Sequence, residues 1–147
     1  MGSLQTLTVL PRLNGDRKRS VLEFLYEAGL ILRGQSIINL YNADLSMAYL
    51  QVIDLHGADL SGANLHDADI NGANLQNIDL SGAFMANVTL QDTDMRGANL
   101  KDADLTGADL WGANVTQAQL NKADLAGAKM PDGSMGMAKF SFAPKSQ

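Results

Sequence analysis

"GADLSGANLHDADINGANL", residues 57–75, is one five-residue phrase written nearly four times over. Every fifth residue is a large aliphatic (Leu60, Leu65, Ile70, Leu75), and two positions before each stands an alanine (Ala58, Ala63, Ala68, Ala73). Followed outward, the large apolar position, here termed the centre, recurs without a slip from Leu40 through Leu80 to Met130, nineteen units in all. Alanine precedes it by two in fourteen units, and the exceptions, Ile38, Ile53, Ile78, Val88 and Thr93, are all compatible with burial.

A period of five is neither the 3.6 of a helix nor the 2 of a plain strand. The two apolar residues of each unit are two apart, which puts both on one side of an extended segment. The next two positions must then turn the chain so that the following pair also faces inward. The second of them is Gly eight times and Asn or Asp seven times more, the residues that enter positive φ most cheaply, as a type II turn requires. A helix carrying the same eight glycines would lose about 1 kcal/mol at each. The pattern therefore predicts an all-β solenoid: short extended pieces with a corner every five residues, lined by the centres and the alanines.

The number of corners per coil decides what stacks on what. With four, positions twenty apart stack at the strand spacing of roughly 4.8 Å, and only two aspartate pairs coincide, Asp59 over Asp79 and Asp104 over Asp124. With three, five such pairs would coincide. Stacked like charges are unfavourable, which favours four corners. That choice also sets Lys122 over Asp102 and Lys129 over Asp109.

Composition agrees with a narrow core. Of 147 residues, 46% are apolar but only 5% aromatic, and no cysteine is present to form a disulfide or thiolate site. The N-terminus lacks a secretory-signal pattern and no apolar run reaches the roughly 18 residues of a membrane span, so the expected location is cytoplasmic. "MGSLQT" fits the short myristoylation pattern through Gly2 and Thr6, a match that arises often by chance. Residues 38–132 carry thirteen Asp against four basic residues, a net of −9, whereas residues 1–37 carry five basic residues against three acids. An acidic rod does not bind nucleic acid directly, because phosphate contacts need Lys and Arg.

The phrase "ADLSGANLHDADINGANL" resembles the pentapeptide-repeat family, whose motif is written A(D/N)LXX. The resemblance covers residues 38–132. It implies a right-handed quadrilateral parallel β-helix, here of about five coils and on the order of 25 Å long. The segment "NGDRKRSVLEFLYEAGLI", with "VLPRL" before it, is similar to a lead-in found ahead of such repeats in cyanobacterial proteins.

A solenoid end exposes core and strand edge unless it is capped. Asn14 as N-cap, Asp16 in the first turn, Val21, Leu22, Leu25 and Ala28 at helical spacing, and Gly29 as a stop predict an amphipathic capping helix over about 15–28. Leu30 suits the apolar contact of a C-terminal cap. Tyr41 and Tyr49 are its expected packing partners. Residues 1–37 thus form an extended segment plus cap, in which "LQTLTVLPRL" is either a strand or a linker. Residues 133–147 form a tail expected to be mobile, with Phe140 and Phe142 available to cover the last coil or Trp111.

The chemistry of enzymes is hard to find. His56 and His66 lie half a coil apart, point to opposite faces, and are read as solvated surface without metal-site spacing. Ser46, Ser61 and Ser81 lie on corners with no base beside them. The glycines follow the turn rhythm and no phosphate loop results. The expectation is therefore no catalytic residue, no cofactor, no metal and no enzyme. Outside, Phe84 stands where other units put Asp or Asn, and Trp111 occupies a corner. Together with the aspartates Asp59, Asp79, Asp104 and Asp124 they form the candidate interaction surface. The expected function is a non-enzymatic, monomeric structural or protein-interaction module with an unidentified protein partner. The alternative is a DNA mimic that binds DNA gyrase or another DNA-binding protein, as the family resemblance and the acidic charge allow.

Overall fold

A residue and the one twenty positions later lie side by side along most of the chain. This is the register seen in a computed structural model, which describes residues 8–137. Parallel bridges join Asp44 to Asn64, Tyr49 to Asp69, Asp54 to Asn74, and Asp59 to Asp79, and the same four columns continue to Asp104–Asp124 and Asp109–Lys129. Each coil therefore has four five-residue faces. Each face pairs through a single bridge residue, because the corner returns before a longer strand can form.

Two backbone bonds per face build the ladder. On the first face, Leu45 N donates to Asn64 O at 2.7 Å and Asn64 N donates to Ala43 O at 2.9 Å. A third bond links corners, as when Asp67 N donates to Ala86 O at 3.1 Å. Inside, Leu60, Leu65, Ile70, Leu75, Leu80, Ala58, Ala63, Ala68 and Ala73 are each at most 2% exposed. Burial of each such leucine or isoleucine contributes about 1.5–3 kcal/mol. Thr93 is buried as well, its hydroxyl donating to Leu90 O at 2.8 Å.

The corners explain the choice between Gly and Asn or Asp. Asn77 takes φ 56° at its corner, and the next corner in that column is Gly97. A Cβ on Gly97 would collide with Asn77 Oδ1, so the column alternates a side chain with none. Two corners break the rule of cheap residues: Met47 and Val52 hold φ of 56° and 58°. A left-handed backbone costs an L-residue roughly 1–2 kcal/mol, and the ladder bonds from Met47 N to His66 O and Val52 N to Asn71 O hold it in place.

Between Asp44 and Lys129 the repeat is interrupted once in structure though never in sequence. Residues 117–120 form a short helix, Gln117–Leu120, where a nineteen-unit register predicts another corner and bridge. Gln117 is neither Gly, Asn nor Asp, and Thr116 closes a capping box with Gln119: each side chain accepts from the other's backbone N–H. Ala118 is consequently exposed, and the centre Val115 is only partly buried. The lost ladder bond is replaced, since Gln119 Nε2 donates to Ala98 O at 2.9 Å.

At the N-terminal end, helix α1 (Gly15–Glu27) has Asn14 as N-cap, whose side chain accepts from Arg17 N at 3.0 Å. Gly29, at φ 70°, ends it in a Schellman arrangement: Gly29 N donates to Tyr26 O and Leu30 N to Leu25 O, both at 2.9 Å. Leu22 and Leu25 are buried, whereas Ala28 lies beyond the helix and is exposed. Before α1, the described part of the leader is helical rather than a strand: residues 8 and 9 lead into a 3-10 turn, Leu10–Arg12, with Pro11 in its first turn and Leu10 buried. Gly2 and Thr6 lie outside the described residues.

The first coil's corner carbonyls have no preceding coil to donate to them, and side chains of α1 take that place. Lys18 Nζ donates to Ser46 O at 2.8 Å, Arg19 Nη1 to Gln51 O at 2.6 Å, and the Tyr26 hydroxyl to His56 O at 3.1 Å. Lys18 is only 3% exposed. The fourth face is covered by the connecting chain: Leu32 bridges Ala58 in antiparallel sense. Of the two tyrosines expected against α1, Tyr49 meets its first residue, Gly15. Tyr41 instead lies over Gly62 of the next coil.

At the C-terminal end the first residues of the tail fold back on the last coil. Asp132 holds the Ser134 backbone and hydroxyl, Gly133 turns at φ 85°, and Met135 bridges Lys129 in antiparallel sense. Phe140 and Phe142 lie outside the described residues.

Candidate interaction surface

Four polar columns form the outside of the rod. Where the residue before a centre is Asp or Asn, its side chain in most units accepts from the backbone N–H two residues on, fixing the corner. Asp59 Oδ1 accepts from Ser61 N at 3.1 Å and from the Ser61 hydroxyl at 2.7 Å, and Asp79 does the same with Ser81. Asp104 accepts from Thr106 N at 3.0 Å and Asp124 from Ala126 N at 3.1 Å. Asp59 bridges Asp79, and Asp104 bridges Asp124. These donors offset part of the repulsion in each stacked pair, and Asn99 Nδ2 donates to Asp79 as well.

Several aspartates are held ionised by their neighbours. The hydrogen bond from Arg96 holds the Asp94 carboxyl below its ordinary range, and that from His56 does the same for Asp54. For Asp44, burial raises the carboxyl but is outweighed by the Ser46 hydroxyl and backbone and by Lys18. Asp109 follows the same balance: burial is overcome by Trp111 N, Gln91 and the charge of Lys129.

The two histidines are half exposed, but neither is a free surface group. His56 Nδ1 lies 2.7 Å from the Tyr26 hydroxyl and 2.8 Å from Asp54 Oδ1, tying the first coil to α1. His66 pairs with Asp67 at 2.9 Å. Among the described residues no cluster of three or more His, Asp or Glu is placed to hold a metal ion.

The two candidate aromatics differ. Trp111 is engaged by its own chain: Lys129 Nζ sits 5.1 Å from its ring centroid, and a Cβ on Gly133 would stand 2.8 Å from the ring. The same ammonium lies 3.8 Å from Asp109 Oδ2, so one cation is shared by an aromatic face and a carboxylate. Phe84 is 55% exposed, in the column Asp44, Asn64, Phe84, Asp104, Asp124. It borders a shallow concavity of about 480 Å³ lined by Asn42, Gly62, Asn64, His66, Ala86 and Asp104.

Phe84 has a second effect that sequence reading missed. A phenyl ring cannot accept a hydrogen bond from the backbone two residues on. Along that column Ser46 N, His66 N, Thr106 N and Ala126 N each donate to the preceding Asp or Asn, whereas no described residue accepts from Ala86 N. Of the other non-acceptors in this position, Lys129 is followed two on by Pro131, which has no N–H, whereas Tyr49 is followed by Gln51, whose N–H also finds no acceptor among the described residues. The signal available in sequence was the pairing of a non-acceptor with a residue that still carries its donor.

The model of pentapeptide repeats matches residues 38–77, 68–107 and 98–135 of the chain. The chain belongs to the pentapeptide repeat family. Among solved structures, this pentapeptide repeat protein is 34% identical to HetL from the cyanobacterium Nostoc sp. strain PCC 7120, a pentapeptide repeat protein involved in heterocyst differentiation regulation. The match covers 69% of this chain and 52% of HetL with a TM-score of 0.39, so the chain spans about half the length of that relative. It is also 34% identical to a second pentapeptide repeat protein of Nostoc PCC 7120, over 76% of this chain and 74% of that one, with a TM-score of 0.40. QnrB1, a plasmid-mediated fluoroquinolone resistance protein, is similar at 19% identity over 67% of this chain and 60% of its own, with a TM-score of 0.29. No curated protein matches the chain. No helix among the described residues is long and apolar enough to cross a membrane.

Proposed function

We propose that this pentapeptide repeat protein is a non-enzymatic structural and protein-interaction module: a right-handed quadrilateral β-helix, capped by helix α1 (Gly15–Glu27), working as a monomer in the cytoplasm. The observation that carries the reading is Phe84. Its column otherwise consists of Asp and Asn, whose side chains close their own corners, and Phe84 gives up that local bond to present a half-exposed ring beside a concavity. A ring in that position costs a corner hydrogen bond and gains no core burial. An intermolecular contact accounts for it, since exposed aromatics anchor protein interfaces. Asp59, Asp79, Asp104 and Asp124 serve the corners first and supply the acidic field around the ring second.

The test is capture from native cell extract by the full chain and by its Phe84→Asn variant, which restores the column's own chemistry. A partner retained by the first and lost by the second supports the reading. Equal capture by both would move the binding surface off this face. The DNA-mimic reading draws on the net charge of −9 over residues 38–132. Inhibition of gyrase supercoiling at micromolar protein would favour it, and no effect would remove it.

A further inference from the structure

We infer that the Phe84 concavity accepts a cationic side chain, arginine or lysine, from an extended segment of the partner protein. The inference rests on the interaction-module reading above and specifies the chemistry of its partner.

Three groups meet at the concavity. The Phe84 ring offers an exposed π-face. Asp104, its bridge neighbour one coil on, uses Oδ1 on Thr106 N, and no described basic group pairs with its carboxylate. Ala86 N is a backbone donor without an acceptor among the described residues. An extended peptide carrying a cation matches all three: a main-chain carbonyl accepts from Ala86 N, and the cation lies over the ring beside the Asp104 carboxylate. Cations are drawn to aromatic faces by the ring quadrupole, and a nearby carboxylate adds a charge-assisted hydrogen bond.

The molecule contains its own precedent. Lys129 sits over Trp111 and beside Asp109, the same combination of cation, ring and carboxylate, closed within the chain. At Phe84 the ring and carboxylate recur without an internal cation. An acidic repeat region favours a basic visitor at long range and disfavours an acidic one.

The experiment is a titration of the full chain, followed by backbone amide NMR shifts, with capped Gly-Arg-Gly, its lysine and glutamate counterparts, and its citrulline isostere. The arginine and lysine arms distinguish the two cations. Saturable shifts centred on Phe84, Ala86 and Asp104 are expected for a cationic peptide, at least several-fold weaker with citrulline and absent with glutamate. Phe84→Leu and Asp104→Asn should each weaken binding about two- to five-fold. The amide spectrum of each variant shows whether its fold is intact. Citrulline binding as tightly as arginine, or shifts scattered over every acidic column and unchanged in Phe84→Leu, would overturn the inference. Negative peptide arms with a partner captured on another face overturn this inference alone; negative peptide arms with no capture overturn both readings.

Discussion

The two ends of this rod are closed by different means. At the N-terminal edge, side chains of α1 stand in for a missing coil: Lys18, Arg19 and Tyr26 donate to the corner carbonyls of Ser46, Gln51 and His56. At the C-terminal edge the chain folds back and the backbone itself does the work. Gly136 N donates to Ala128 O at 2.6 Å and Met130 N to Ser134 O at 2.7 Å. A side-chain cap depends on long, charged groups being held in one rotamer. A backbone cap depends on close approach, and so on what is absent from Gly136. The first closure should respond to the charge of Lys18 and Arg19, the second to bulk at Gly136, and both to acid, through Asp44 and Asp54 at one end and Asp132 at the other.

The middle of the rod should be more robust than either end, and Leu75→Lys tests its closed interior directly. Leu75 is 2% exposed, and an unpaired ammonium there should cost on the order of 5 kcal/mol or abolish folding. Thermal unfolding left unchanged would mean that the interior is not closed. Lys18→Met should cost about 1–3 kcal/mol by orphaning the Ser46 carbonyl, with hydrogen-exchange protection lost in α1 and the first coil and retained beyond. Gly136→Val should cost about 1–3 kcal/mol by overpacking, because an added Cβ would run into Leu125 O and lie 3.2 Å from Ala128 O. Protection should then fall only around residues 123–136; loss at the far end instead would show that the two caps are coupled.

Acid supplies the mildest probe. Asp44 and Asp54, both at the N-terminal edge, have carboxyl pKa values lowered in the folded chain. A depressed folded value means their contribution is present above the unfolded value of about 3.9 and is lost as pH falls through the folded one. Below about pH 4 the N-terminal cap should loosen, read as loss of helical circular dichroism. Lys18→Met should flatten that response. A Gly136→Val chain should keep it.

The regular part of the fold was legible because each unit repeats one physical demand: bury two residues, then turn. The period alone placed Leu60 or Ala63 inside. What escaped depends on local competition or on edges. The helix at Gln117–Leu120 was written as Thr116 and Gln119 in capping-box spacing, but an unbroken apolar rhythm masked it. Met47 and Val52 hold positive φ with no sequence sign, since the ladder imposes what their side chains resist. Lys18 reads as an ordinary polar residue until the carbonyl it must satisfy is known. The candidate surface divided similarly: Phe84 and Trp111 stand out in any reading, but only geometry shows that Lys129 and Gly133 occupy the second.

The twenty-residue register also governs what insertions do. Adding a single five-residue unit anywhere in the repeat would preserve every inward-facing position, so the chain would still fold. Yet everything downstream would be rotated by about a quarter turn relative to everything upstream, bringing new neighbours together in all four columns. A gain of twenty residues lengthens the rod with its outer pattern intact, whereas a gain of five rewrites that pattern while leaving the interior indifferent.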